Sequence, residues 1–237
     1  MKYIKKGKEP QSLIAKRNTQ GSIYESPEKD WQDELLKDQG HICAYCMGRI
    51  SLERKNGKPC IEIEHYLSRK LHPKLDLRWK NMIGVCNGQL GLEAHCDKTK
   101  GKENNKGVFI KGKANGEVKL NILNPLAINK SERIITYSTS GEILPNTKDE
   151  DLSQKITEDL NCILNLNDKN LKLARKQVID LAKENLKRNN PTGTWTVKEI
   201  EKEIEIWNNQ KDGKYKPFCQ VAIWYLGWLK DKPVHKS

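Results

Sequence analysis

Polar side chains that could carry out a hydrolysis follow one another between residues 61 and 97. Glu64 and His65 stand in the stretch IEIEHYLSRK, residues 61–70, and Asn81 and Asp97 come after them. A neutral imidazole can take a proton from water near neutral pH. Carboxylate and amide oxygens can hold one hard divalent cation, which neutralises a phosphate and its leaving oxygen. In this order the four residues suit the hydrolysis of a phosphodiester bond.

Each of these residues also has an ordinary structural interpretation. A histidine beside a glutamate is often a surface pair, and an asparagine such as Asn81 commonly caps a turn or a helix. A carboxylate such as Asp97 is favoured near the start of a helix whatever its function. A catalytic role is favoured over a chance arrangement because cysteines are interleaved with the four residues.

Four of the seven cysteines have the spacing of a zinc site: Cys43, Cys46, Cys86 and Cys96. The first two form a CxxC turn, which lets two thiolates converge on one ion, and the second two can complete a tetrahedral site. Nine residues separate the second two, where a standard zinc knuckle has two. Bound zinc would stabilise a region with few apolar residues. His95 or His41 could replace one cysteine, and the alternative is four unrelated buried thiols.

Positive charge is unevenly spread along the chain. The net charge is +12; residues 1–120 carry 24 Lys and Arg against 15 Asp and Glu, a net of +9, whereas residues 121–237 carry 19 against 16, a net of +3. Such an excess favours a polyanionic partner, because each neutralised phosphate releases counterions. A lysine-rich soluble surface is the alternative. A nucleic acid is the expected partner, with phosphate contacts from basic residues near the polar set: Arg69, Lys70, Lys98 and Lys100.

Composition excludes several classes of protein. The sequence has no run of about 18 apolar residues, so we expect no membrane span. The first residues, MKYIKKGKEP, are basic but lack the apolar stretch of a secretory signal. An odd number of cysteines without such a signal argues against a disulfide framework. We therefore expect a cytoplasmic protein.

Two regions of different character are predicted. A basic arm, residues 1–25, precedes a helix that Ser26 would cap and Gly40 would end, with Trp31, Leu35 and Leu36 on its apolar face. Hairpins are predicted around residues 56–57 and within residues 111–125. From residue 150 the periodicity is helical, and the apolar segment 218–229 is predicted to be a terminal helix. The fold class is α+β, with an irregular α+β region at 1–120 and a mainly helical region at 121–237.

The order of these motifs resembles the zinc-containing HNH endonucleases, whose core is the ββα-metal fold. An acid followed by a histidine general base is matched by Glu64 and His65, and the asparagine before the returning cysteine is matched by Asn81. The stretch CDKTKG resembles the last motif, with Asp97 at the metal-ligand position. The resemblance implies catalytic roles for Glu64, His65 and Asn81. It also implies that Glu64, Asn81 and Asp97 bind Mg²⁺ or Mn²⁺, in addition to a structural zinc.

Two departures from the family pattern accompany this resemblance, which covers about residues 40–105. The stretch between Cys86 and Cys96 is longer than usual, and Asp97 stands where the family has His or Asn, although aspartate is also a good Mg²⁺ ligand. The whole chain more narrowly resembles the nucleases of Septu-type anti-phage systems, which act with an ATPase partner. Two alternatives remain: a zinc-stapled DNA-binding module without catalytic activity, and a protein-interaction module.

Overall fold

The computed structural model describes residues 1–55, 58–88, 94–100, 120–121, 123–126 and 133–232. Six helices with described bounds are α1 (Gln11–Asn18), α2 (Lys29–Gln39), α3 (Glu150–Thr157), α4 (Lys169–Asn189), α5 (Val197–Asn208) and α6 (Cys219–Lys230). Six short strands are β1 (Arg54–Lys55), β2 (Lys58–Pro59), β3 (Glu62–His65), β4 (Met82–Val85), β5 (Ile135–Tyr137) and β6 (Ile143–Pro145). Residues 97–100 are also helical. The predicted α+β class with a helical C-terminal region is confirmed.

Helix α2 has the predicted apolar face and C-terminus. Trp31, Leu35 and Leu36 are all buried. Gly40 ends the helix with φ +55°, a left-handed conformation that suits glycine. The helix begins at Lys29 with extended Glu28 as its N-cap, two residues later than Ser26 would place it.

The strands form three antiparallel pairs, β1 with β2, β3 with β4, and β5 with β6. The first pair confirms the predicted hairpin, although residues 56–57 at its turn lie outside the described part of the chain. In the second pair Glu62 is opposite Val85 and His65 is opposite Met82. The hairpin predicted within residues 111–125 falls mostly on residues that the structure does not describe.

Strand β4 is attached to helix α2 through one buried amide. The Gln39 side chain donates to the Gly84 carbonyl at 2.8 Å and accepts from the Gly84 N–H at 2.6 Å. The Ala44 N–H donates to the same carbonyl at 3.1 Å. Because buried backbone groups need partners, these bonds fix the strand against both the helix and the first cysteine pair.

Helix α6 belongs mainly to the hydrophobic core. Six of its residues are buried, namely Cys219, Val221, Ala222, Tyr225, Leu226 and Leu229. It packs against α4 and α5. Trp228, at 42% exposure, is its one large apolar residue that stays well exposed. Most of this helix therefore fills the core, and the predicted terminal helix is confirmed.

Contacts between the N-terminal and C-terminal regions are direct. The Phe218 N–H donates to the Met47 carbonyl at 3.0 Å, and the Cys96 N–H donates to the Leu164 carbonyl at 2.7 Å. Buried residues of both regions belong to one hydrophobic cluster. The predicted boundary at residue 120 adjoins residues 101–119, which the structure does not describe, and it stays a prediction. No helix within the described ranges is long and apolar enough to cross a membrane.

Candidate functional site

A tight turn brings the first two cysteines together. The Cys43 N–H donates to the Gly48 carbonyl at 2.8 Å, and the Gly48 N–H donates to the Cys46 sulfur at 3.4 Å. Met47 has φ +64°, a left-handed conformation that closes the turn. Both sulfurs therefore point to the same side, as the CxxC spacing predicts.

The four predicted cysteines form one buried cluster. Their sulfurs all lie within 4.8 Å of one another, and no other group of three or more potential ligands of this kind occurs among the described residues. Cys43 and Cys96 are 3.9 Å apart between sulfurs, and Cys46 and Cys86 are 3.8 Å apart. Thiolates about 2.3 Å from a shared ion at tetrahedral corners would be about 3.8 Å apart. The cluster thus has the dimensions of a four-thiolate metal site.

Hydrogen bonds around the sulfurs favour a thiolate. Burial opposes charge on Cys43, but hydrogen bonds from Cys46, Cys86 and Cys96 outweigh burial and hold the pKa of Cys43 well below its usual value. The Cys86 N–H also donates to the Cys43 sulfur at 3.3 Å. A cation at the centre would favour the thiolate form of all four.

Histidine is not required to complete the cluster. The His95 Nδ1 atom lies 3.2 Å from the Cys96 sulfur and 3.9 Å from the Cys86 sulfur, so His95 contacts two of the ligands. His41 does not belong to the group of close ligand atoms. The four sulfurs alone supply tetrahedral coordination.

His65 ends strand β3 with its imidazole held in one orientation. Its Nε2 atom is 2.7 Å from the Asp76 carbonyl oxygen. Because a carbonyl only accepts, Nε2 carries the hydrogen, and Nδ1 of the neutral ring keeps its lone pair. The Tyr24 ring packs edge-on at 4.7 Å between centroids. Burial lowers the pKa of His65 below its usual value, so the ring stays neutral near physiological pH.

Glu64 lies in a buried cluster of charged groups. Its Oε1 atom accepts from the Lys100 ammonium, and the Tyr45 hydroxyl lies 3.4 Å from the same oxygen. The pKa of Glu64 is raised to about 8, mainly by burial and also by Asp97, which shares a side-chain hydrogen bond with it, while the charge of Lys100 opposes the shift. Two carboxyl groups, one from β3 and one from the helical residues 97–100, thus lie side by side.

Asn81 has a different environment from the one predicted for a metal ligand. Its Oδ1 atom accepts from the Leu67 N–H at 2.8 Å, and its Nδ2 atom donates to the carbonyls of Leu67 at 3.0 Å and Leu75 at 3.3 Å. The amide is therefore turned toward the backbone of the segment 66–76. That segment carries the Asp76 carbonyl that orients His65.

The predicted phosphate contacts differ in their accessibility. Lys70 is exposed, and Arg69 is exposed while its guanidinium donates to the Tyr24 carbonyl at 3.0 Å. Lys98 is partly exposed and bonds Glu62 at 2.6 Å. Lys100 departs from the prediction: it is 5% exposed, because its ammonium is enclosed by Glu64 and the Tyr66 carbonyl.

Three residues that position the site, Tyr24, Gln39 and Asp76, could not be identified from the residues near them in the sequence. Asp76 acts through its backbone carbonyl, so the identity of its side chain gives no indication of this contact. The Asp76 carboxylate accepts from the Tyr24 N–H at 2.6 Å, which places the Tyr24 ring beside His65. Gln39 is visible only as a polar residue at the end of an amphipathic helix. Their roles depend on contacts across more than 10 residues of chain.

Comparison with known proteins gives one distant relative. No protein-family model matches the chain. Over 175 residues, 74% of this chain, it is 25% identical to Septu protein PtuB of Bacillus thuringiensis. The matched region is 51% of that protein, so the chain spans about half the length of the curated relative it matches. The chain is thus a distant relative of PtuB, in agreement with the narrower of the two sequence resemblances.

The raised pKa of Glu64 predicts a loss of stability as pH rises. The folded protein keeps this proton up to about pH 8, whereas the unfolded chain loses it near the usual value of 4.5. The folded state therefore binds more protons between these values, and the free energy of unfolding falls as pH increases through that range. Glu64→Gln should lose this part of the slope in urea unfolding without added divalent cations.

The control is Glu62→Gln, on the same strand, whose carboxylate pairs with the partly exposed Lys98. It should keep the wild-type slope between about pH 5 and pH 8. If Glu64→Gln and wild type showed equal slopes, Glu64 would not hold a proton in the folded state.

Proposed function

We propose that this chain is a metal-dependent endonuclease of the HNH type, which hydrolyses phosphodiester bonds of DNA. The observation that carries the proposal is the His65 imidazole, fixed by the Asp76 carbonyl at 2.7 Å and close enough to Asp97 for that carboxyl group to act on the pKa of His65. These groups stand on a two-stranded hairpin and on helical residues 97–100, an arrangement that accords with a ββα-metal core. The distant relationship to PtuB supports the same proposal.

His65 would act as the general base. With Nε2–H donated to the Asp76 carbonyl, the Nδ1 lone pair can take a proton from the attacking water. The low pKa of His65 keeps this lone pair available near neutral pH. Asn81 is a positioning residue in this scheme, since it fixes the segment that presents the Asp76 carbonyl.

Glu64 and Asp97 would hold the divalent cation, Mg²⁺ or Mn²⁺. Their oxygens are of the type that hard cations prefer, and the buried Glu64 carboxyl group beside the partly buried Asp97 fits such an ion because it would offset their mutual repulsion. When bound, the cation supplies neutralisation of the scissile phosphate and of the leaving oxygen. Arg69, Lys70 and Lys98 lie on the accessible side and would contact flanking phosphates.

A binding module without catalytic activity does not account for the buried groups. Burying carboxyl groups and an imidazole costs free energy unless they are well paired. A zinc-stapled reader of DNA would need neither the Glu64–Asp97 pair nor an oriented His65. Buried groups with shifted pKa values, as in Glu64 and His65, are characteristic of reaction centres.

We infer that the ion of the four-cysteine cluster is zinc, in a structural role. Sulfur separations of 3.8 and 3.9 Å fit a tetrahedral Zn²⁺ site, and four thiolates leave no position for substrate. The nuclease domain would then comprise residues 1–120, with residues 121–237 as the helical region packed against it.

The zinc proposal predicts a strong effect of single cysteine substitutions. Cys43→Ser or Cys86→Ser should lower zinc content from one ion per chain to near zero and cost several kcal/mol of stability, against about 10–16 kcal/mol for whole zinc-finger sites. Elemental analysis and urea unfolding measure the two effects. Cys219→Ser is the matched control, because Cys219 is equally buried and lies outside the cluster. Purified folded protein without zinc would contradict the assignment.

The nuclease proposal predicts that His65→Ala abolishes cleavage. A general base contributes about 10²–10⁴-fold to the rate. The assay is nicking or linearisation of plasmid DNA with Mg²⁺ or Mn²⁺. His72→Ala, seven residues further along the same segment, is the control that should leave the rate unchanged. Gel-shift binding of DNA by His65→Ala should stay close to wild type, which separates loss of chemistry from loss of binding. Equal cleavage by wild type and His65→Ala would exclude His65 as the base.

We also propose that the chain is the nuclease of an anti-phage defence complex and that its partner is an ATPase. The proposal comes from the resemblance to Septu-type systems and from the relationship to PtuB. The helical region offers a candidate docking surface, because four large apolar side chains stay more than a third exposed on α4, α5 and α6: Leu173, Leu181, Ile206 and Trp228. Tryptophan is among the residues most enriched at interface hot spots.

The docking surface predicts that Trp228→Ala weakens co-purification with the ATPase without unfolding the protein. Losing one hot-spot residue costs about 2 kcal/mol or more, roughly 30-fold in affinity. Ile23→Ala is the control, since Ile23 is 62% exposed but lies outside the helical region. Deletion of residues 217–237 should instead unfold the chain, because the buried face of α6 goes with it. Unchanged co-purification of Trp228→Ala would place the interface elsewhere.

A further inference from the structure

Lys100 is a buried cation at the carboxyl pair. Its ammonium donates to Glu64 Oε1 and to the Tyr66 carbonyl at 3.3 Å, and only 5% of the residue is exposed. Asp97 shares a hydrogen bond with the same glutamate. A lysine is rarely enclosed in this way unless it neutralises buried negative charge. Lys100 therefore stabilises the Glu64 side of the carboxyl pair by direct pairing.

The Lys100 ammonium and a divalent cation would compete for the same position beside Glu64. Both would be held by Glu64, and in a buried environment of low dielectric constant an ammonium and a dication repel each other strongly. Asp97 and Lys100 are three residues apart on one helical turn, so their side chains share a face. A lysine has four rotatable side-chain bonds, so its ammonium can leave this face without movement of the backbone.

We propose that Lys100 is a tethered counter-cation: it occupies the Glu64–Asp97 pair until a divalent cation binds, and then leaves toward solvent on the DNA-facing side. This inference rests on the proposed nuclease function, and it adds a residue and a coupling to it. In the released position the ammonium can meet a phosphate of the bound strand. Binding of the divalent cation then also releases the Lys100 ammonium, which can bind a phosphate.

The coupling has a quantitative consequence for metal affinity. When a site is competent only part of the time, the apparent dissociation constant is the intrinsic one divided by the competent fraction. Occupation by Lys100 thus weakens binding of the divalent cation. It also holds the two carboxyl groups together, with their charge offset, when no divalent cation is bound.

The direct test is acylation of lysine amines in the wild-type protein, with and without Mn²⁺, followed by peptide mass spectrometry. Lys100 should react slowly without Mn²⁺, and its rate should rise about tenfold or more as its exposed population becomes the major one. Lys98 is the internal control: its side chain is 40% exposed, and its labelling should change little. Lys100 that remains protected when Mn²⁺ is bound would overturn the proposal.

Mn²⁺ titration followed by electron paramagnetic resonance separates this proposal from the proposed function. Lys100→Met should bind Mn²⁺ about tenfold more tightly, because no ammonium has to leave. Lys98→Met is the matched control and should keep the wild-type affinity. Mn²⁺ binding that is lost in Asp97→Ala, together with a protected Lys100, would refute only the displacement. If wild type bound no Mn²⁺ at all, both the cation site and the displacement would be wrong.

Discussion

The convergence of four sulfurs is the constraint on which the candidate site depends. Cys86 directly follows strand β4, and Cys96 directly precedes Asp97, so the cluster sets the distance between the hairpin and the start of the helical residues 97–100. Without it, the two carboxyl groups of Glu64 and Asp97 would be joined only through about 30 residues of chain, much of it irregular. The ion proposed for the sulfurs would therefore stabilise the region and also bring the acidic side chains together.

Neutral hydrogen-bonding groups position the His65 imidazole. Asn81 bonds three backbone groups of the segment 66–76, and the Asp76 carbonyl at the end of that segment fixes the imidazole. Neither residue needs a charge for this purpose. In the proposed mechanism, the base would then need little reorganisation at the moment of proton transfer, which is the main benefit of such fixed dipoles. Substitution of Asn81 would act on the proposed reaction through the orientation of His65.

The cysteine cluster and the α+β fold class could be predicted from the sequence, but the hydrogen-bond partners of the polar residues could not. Spacing alone indicated that Cys43 and Cys46 would converge with Cys86 and Cys96, because a thiolate site is defined by residue types that few other roles require together. The hairpin and the helical C-terminal region followed from turn residues and from periodicity. The roles of Glu64, His65 and Asp97 stay predictions, although the structure places them near one another.

What sequence reasoning missed depends on long-range burial. Lys100 looks like any residue of the basic run after Asp97, and only the packed structure shows that it is enclosed while Lys98, two positions away, is partly exposed. The start of α2 was misplaced because Ser26 has the right side chain for a cap but the chain enters the helix only after Glu28. Both errors have one cause, since local propensity does not report where the rest of the chain packs.

Stability and chemistry make opposite demands at the carboxyl pair. An isolated buried carboxylate is unfavourable, and the pKa of about 8 for Glu64 shows how strongly its surroundings favour the neutral form. A cation ligand must be ionised, so a site that is too apolar would not bind its ion. Lys100 lies between these limits, because its charge opposes the shift and keeps the carboxylate accessible. In the displacement proposed above, the same ammonium that offsets the charge of the pair in the folded chain would be the group that a divalent cation replaces.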